Sequence, residues 1–148
     1  LTIGRDNLFD LLRENGLLVR KRRSKKPNTT WSRHWFKRYP NLIKGFIPHQ
    51  PNRLWVSDIT YVVIGDNFGY LSLITDAYSR KIVGFYLSDN LSAYGCVRAL
   101  KIALQNNPNR EKLIHHSDRG AQYCSAEYSG ILKREGILIS MTQSSDDL

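Results

Sequence analysis

The sequence predicts an α/β fold: a five-stranded mixed sheet with flanking helices, preceded by a small helical and basic region. Three observations carry this expectation. After Pro51, runs rich in β-branched and aromatic residues follow one another at hairpin spacing. Beyond them, helical and extended patterns alternate, each with its own start and stop signals. Finally, the net charge of +9 is confined to the first third of the 148 residues. Residues 1–50 hold twelve Lys/Arg against Asp6, Asp10 and Glu14, whereas residues 51–148 hold ten basic and ten acidic side chains.

Thr2 is placed to cap a helix from about Ile3 to Asn15, which stops at Gly16. Its apolar stripe, Leu8, Leu11 and Leu12 with Phe9 beside them, is narrow, so partner helices are expected N-terminal to Leu1. A dense basic run follows, Arg20-Lys21-Arg22-Arg23-Ser24-Lys25-Lys26-Pro27. Pro40, Pro48 and Pro51 then punctuate an extended connector that carries Trp31, Trp35, Phe36 and Tyr39. Leu54 to Ile64 reads as a central strand, nearly apolar on both faces apart from Ser57, Asp58 and Thr60. A turn over 65–69 leads to a second strand, Tyr70 to Thr75, and another turn to a third, Lys81 to Leu87. Asn90 or Ser92 caps a helix reaching about Gln105, with Ala93, Val97, Leu100 and Leu104 on one face. Leu113 to His116 is a short fourth strand. Ser125 to Glu135 is a helix closed by Gly136, and Ile137 to Met141 is the fifth strand.

The charge asymmetry points to a polyanion held by a basic arm and a neutral globular part. No amphipathic helix with a large apolar face accompanies the run and no apolar stretch is long enough to span a bilayer, so nucleic acid is favoured over a membrane. Arg20, Lys21, Arg22, Arg23, Lys25 and Lys26 are the candidate DNA contacts; a solvated linker is their plain alternative. Two cysteines, Cys96 and Cys124, make no disulfide framework and suit a reducing cytoplasm. The opening Leu1 and the closing Asp146-Asp147-Leu148 give the impression of a chain cut at both ends.

Two carboxylates stand out. Asp58 interrupts the most apolar strand, where an unpaired charge costs several kcal/mol; hydrogen bonds from Ser57, Thr60 or a neighbouring strand would be the structural explanation. Asp118 follows the fourth strand in His115-His116-Ser117-Asp118-Arg119-Gly120-Ala121-Gln122-Tyr123, at the strand end where α/β sheets build sites. If the fourth strand lies beside the first, both carboxylates reach one point, and such hard oxygen ligands suit Mg²⁺ or Mn²⁺. His115 and His116, adjacent on a strand, face opposite ways and do not form a ligand pair. His34, His49, Cys96 and Cys124 lack zinc-finger spacing. Asp76 reads as structural, and Arg80 and Lys81 as solvated turn charges.

Leu54-Trp55-Val56-Ser57-Asp58-Ile59-Thr60-Tyr61, the stretch from Leu73 to Gly84, and His116 to Tyr123 together resemble the bacterial insertion-sequence transposases that share the retroviral-integrase catalytic core. The resemblance covers roughly residues 51–148; the basic first third is more weakly similar to the end of that family's helix-turn-helix region plus linker. It implies a 1–50 DNA-binding portion, a 51–148 ribonuclease H-like core, and metal-dependent cleavage and strand transfer of DNA. Asp58 and Asp118 match the first two members of the family's carboxylate triad, which holds two metal ions. The third, a glutamate about 35 residues beyond Asp118, would fall past Leu148, and Glu127 and Glu135 are too near to replace it; Asp146 and Asp147 read as loop acids. The resemblance therefore implies a chain incomplete at its C-terminus and inactive alone, with apolar surface left bare near Ile137, Ile139 and Met141. It also implies transposon ends and target as DNA partners, a homo-oligomer at full length, and a bacterial cytoplasmic, nucleoid-associated setting. A ribonuclease H-like nuclease that only hydrolyses, or a non-catalytic DNA-binding remnant, are the alternatives.

Overall fold

The computed structural model describes residues 5–15 and 34–143. The basic run Arg20 to Lys26 and the acids Asp146 and Asp147 lie outside the described residues. Helix α1 spans Arg5–Glu14, within the expected segment, with Leu8 and Leu11 exposed and Arg13 hydrogen-bonded to Asp10.

The sheet contains β1 (Leu54–Ile64), β2 (Asn67–Asp76), β3 (Ile82–Ser88), β4 (Ile114–Ser117) and β5 (Leu138–Met141) in the order β3-β2-β1-β4-β5. The first three pair antiparallel, and β4 and β5 are parallel to β1, so the mixed five-stranded sheet with β1 at its centre is as expected. The first hairpin is tighter than its sequence suggests. Ile64 pairs with Asn67, which leaves only Gly65 and Asp66 to turn. Gly65 sits at φ +57°, and a glycine first in a two-residue loop allows the mirror-image turn that matches strand twist. Asn67 to Gly69 are therefore strand rather than loop. The reading of β1 as buried on both faces holds only for its beginning: Leu54 and Trp55 are buried, whereas Val62, Val63 and Ile64 are exposed.

Helix α2 (Ala93–Asn106) crosses β2 and β3, a four-residue helix α3 (Ala121–Cys124) follows β4, and α4 (Ala126–Arg134) leads into β5. Ser125 accepts a bond from the Tyr128 N–H at the start of α4. At its end Gly136 has φ +66°, the Ile137 N–H reaches the Leu132 carbonyl and the Gly136 N–H reaches the Lys133 carbonyl. That pair of bonds satisfies two of the helix's last carbonyls and needs the left-handed glycine. Trp55, Ile74, Val97, Leu100, Tyr128 and Leu132 are part of the core between these helices and one face of the sheet.

Gly84 is where α2 comes nearest. A Cβ there would stand 2.2 Å from the Ala99 carbonyl oxygen and 2.8 Å from the Ala103 Cβ. The obstacle is helix backbone, which cannot rotate aside as a side chain can. Gly84→Ala is therefore expected to cost about 1–3 kcal/mol by forcing α2 off the sheet, read as a lower midpoint in thermal unfolding; an unchanged midpoint would contradict the packing.

The expectation of bare apolar surface at β5 is not met: Ile137, Ile139 and Met141 are buried. Connector residues lie along this edge strand. The Pro40 carbonyl accepts from the Met141 N–H at 3.2 Å, the Leu42 N–H donates to Ser140 Oγ at 2.8 Å, and Tyr39 packs on the core.

Candidate active site

Cross-strand register decides which side chains share a face. Trp55, His115 and Ile139 form one row, and Ser57, Ile74 and Gly84 another, both on the helix-covered face. Val56, His116 and Ser140 form the row between them, and Asp58 lines up with Leu73 and Phe85. Asp58 therefore stands on the opposite face from Ser57, and the two adjacent histidines do point to opposite sides.

Asp58 is on the central strand and Asp118 directly follows its parallel neighbour β4. Asp58 is not the sunken charge that the apolar strand suggests, because it lies on the more open face and is exposed. Its Oδ1 accepts a bond from the Ile59 N–H at 2.8 Å, not from Ser57, Thr60 or a neighbouring strand. Its pKa is nonetheless raised: partial desolvation contributes most, the Ile59 N–H opposes it, and the charge of Asp118 adds to it. The two carboxylates thus repel one another, and a cation between them would relieve that repulsion.

Asp118 Oδ1 accepts the Gly120 N–H at 2.9 Å. A Cβ on Gly120 would lie 2.9 Å from Asp118 Oδ1 and 3.0 Å from Gln122 Oε1, so the glycine gives the carboxylate room. Arg119 Nε in the same loop and Gln122 Oε1 in α3 are buried without hydrogen-bond partners. Among the described residues, no group of three His, Cys, Asp or Glu side chains is placed to hold a metal.

Beneath the site is a buried polar cluster that the sequence reading missed. His115 is completely buried, with Nε2 2.6 Å from Ser57 Oγ and 2.8 Å from the Tyr128 hydroxyl. It ties β1, β4 and α4 together one residue before Asp58 and three before Asp118. Its Nδ1 has no partner. Burial, with a smaller contribution from His116, lowers its pKa to about 3, so the ring is neutral. His116, on the other face, pairs through Nδ1 with Ser140 Oγ at 2.8 Å, and burial lowers its pKa too. Asp76 is structural, as expected: it is buried and accepts from the N–H groups of Asn52 and Ser79 and the Ser79 hydroxyl.

A central strand carrying one carboxylate, beside a parallel strand that ends on a second, defines a class, and comparison with known proteins agrees. Residues 48–146 match the integrase core domain, and the chain belongs to that family. It is 36% identical over 144 residues to an uncharacterized 31 kDa protein of insertion element IS600 from Shigella sonnei, covering 97% of this chain and 53% of that protein. It is 34% identical over 132 residues to the transposase InsF of insertion sequence IS3A from Escherichia coli, covering 88% of this chain and 46% of the transposase. The chain thus spans about half the length of these curated relatives. Among solved structures, the catalytic core of HTLV-2 integrase in complex with magnesium superposes with a TM-score of 0.57 at 18% identity, covering 63% of this chain and 62% of that one. The catalytic domain of the Mos1 mariner transposase superposes with a TM-score of 0.53 at 12% identity, covering 65% and 52%. These likenesses establish the fold as the ribonuclease H-like one that the motifs implied.

Proposed function

We propose that this chain is part of a DNA transposase that cleaves a phosphodiester at the end of a mobile element and joins the freed 3′-hydroxyl to target DNA. The observation that supports the reading is that Asp58, on the central strand, feels the charge of Asp118 at the end of the parallel neighbouring strand, in a core of the integrase family. The donor set fits a hard divalent cation, Mg²⁺ or Mn²⁺: two carboxylates, one of them exposed. When bound, such ions activate the attacking oxygen and stabilise the leaving one. The chain's own residues supply position. Gly120 and its N–H fix the Asp118 carboxylate, the Ile59 N–H fixes that of Asp58, and the Ser57–His115–Tyr128 cluster fixes the strands that carry them. In this reading a third carboxylate completes the site. The whole protein works as a homo-oligomer on the bacterial nucleoid.

Arg20, Lys21, Arg22, Arg23, Lys25 and Lys26 hold DNA backbone in this proposal. Each phosphate neutralised contributes about −0.9 to the slope of log affinity against log salt on duplex DNA. Replacing all six by alanine is expected to flatten that slope by several units while the unfolding transition stays in place. An unchanged slope would mark the run as a passive linker.

Extending the chain through the next helix, so that the glutamate is included, tests the reading as a whole. Strand joining and stability are expected to rise together, and vigorous joining by the 148 residues without it would contradict this assignment of the site.

A further inference from the structure

The connector ahead of the core reaches the sequence around Asp118 at two points, one on each side of it. His34 Nε2 lies 2.9 Å from the Arg119 carbonyl oxygen. Further along, the Leu42 N–H donates to Ser140 Oγ at 2.8 Å, and the same oxygen lies 2.8 Å from His116 Nδ1. Both connector residues fall outside the stretch 48–146 that matches the integrase core. The His34 ring has a defined sense. Its Nδ1 accepts the Phe36 N–H at 3.2 Å, so in the neutral ring Nε2 carries the proton and donates to Arg119.

What that bond grips is specific. The Arg119 carbonyl and the Gly120 N–H belong to one peptide unit, planar and trans, in which the two groups point opposite ways. The Gly120 N–H donates to Asp118 Oδ1 at 2.9 Å. His34 and the carboxylate therefore hold the same peptide from its two sides. A bond received at the carbonyl polarises the amide and strengthens the bond that its N–H gives. It also resists rotation of the peptide plane, on which the direction of that N–H depends. The next peptide is fixed from elsewhere, because the Gly120 carbonyl accepts the N–H groups of Tyr123 and Cys124, each at 3.1 Å.

We propose that His34 is a positioning residue: it holds the Arg119–Gly120 peptide and, through it, sets the Asp118 carboxylate for a divalent cation. This deepens the transposase reading and rests on its assignment of Asp118. A histidine that only fastened the connector to the core would be felt in stability alone. A histidine that acts through this peptide is felt at the Gly120 amide and in cation affinity.

Two amide side chains separate the ring's two contacts. Asparagine can place its oxygen where Nδ1 was and keep the Phe36 bond, but it does not reach Arg119; glutamine can place its NH₂ where Nε2 was. The 148-residue chain is compared with His34→Asn, His34→Ala and His34→Gln by amide NMR without metal, and by Mn²⁺ titration followed by electron paramagnetic resonance. In His34→Asn and His34→Ala the Gly120 amide proton should move upfield and exchange faster. Their Mn²⁺ affinity should fall roughly fivefold, as the loss of one hydrogen bond allows. His34→Gln should restore both readouts, and the unfolding midpoint should move little in any variant. An unmoved Gly120 amide in His34→Asn, parental Mn²⁺ affinity in His34→Asn and His34→Ala, or a His34→Gln chain as weak as His34→Ala overturns the role of His34 and leaves the transposase reading standing. A parent chain that binds no Mn²⁺, or binding that survives Asp118→Asn, overturns both.

Discussion

Asp58→Asn, in a chain carried on to the length of its curated relatives, is expected to abolish strand joining while DNA binding persists. The substitution keeps the shape of the side chain and removes its charge. Metal ions contribute several kcal/mol of transition-state stabilisation at such sites, so the rate should fall about a thousandfold or more. DNA affinity should barely change, because in this account it comes from the basic arm rather than from the carboxylates. Joining and binding are measured on the same preparation, by product formation on labelled oligonucleotides and by anisotropy. Joining that survives would remove Asp58 from the mechanism; joining and binding lost together would indicate a folding defect instead.

The second large effect is acid lability. His115 is neutral in the folded chain, with a pKa of about 3, while the unfolded imidazole titrates near 6.5. Below pH 6.5 the unfolded state therefore binds a proton that the folded state refuses, and stability falls as the pH falls. At pH 5 the loss is about 2 kcal/mol from this group alone, and it keeps growing until about pH 3. His116, whose pKa is also lowered by burial, adds in the same direction. The cause is burial: among Ser57, Tyr128 and the core, a charged ring would lose its hydration, and the neighbouring His116 adds to the penalty. Denaturant titrations between pH 7.5 and about pH 4.5 should show this fall, and His115→Gln should flatten it even though that variant starts out less stable. A His115→Gln chain with the same acid profile as the parent would show that other groups govern the transition.

Much of this was legible in the sequence because the relevant signals are local. Alternation and β-branched runs located the five strands. Gly136 marked the end of α4, and a strand interrupted by Asp58 together with a polar stretch containing Asp118 singled out the candidate site. What was missed depends on contacts distant in sequence. Val62, Val63 and Ile64 are apolar enough for a core, yet composition does not say whether a second layer lies over them, and they are exposed. Nothing in Tyr39, Pro40 and Leu42 announces that they will lie against β5, so its burial could not be foreseen. Helix α3 is a single turn in a segment whose polar residues read as loop. The Ser57–His115–Tyr128 cluster is invisible until register shows that His115 faces the helices while His116 faces away. Asp58, for the same reason, was expected to be more deeply buried than it is.

The central claim is that Asp58 and Asp118 converge on one cation, and Mn²⁺ titration of the 148-residue chain followed by electron paramagnetic resonance tests it most directly. With two carboxylates, weak but saturable binding is predicted. It should be lost in Asp58→Asn and in Asp118→Asn and kept in Asp66→Asn, whose carboxylate lies in the first hairpin turn. Mn²⁺ bound with unchanged affinity in both of the first two variants would contradict the account.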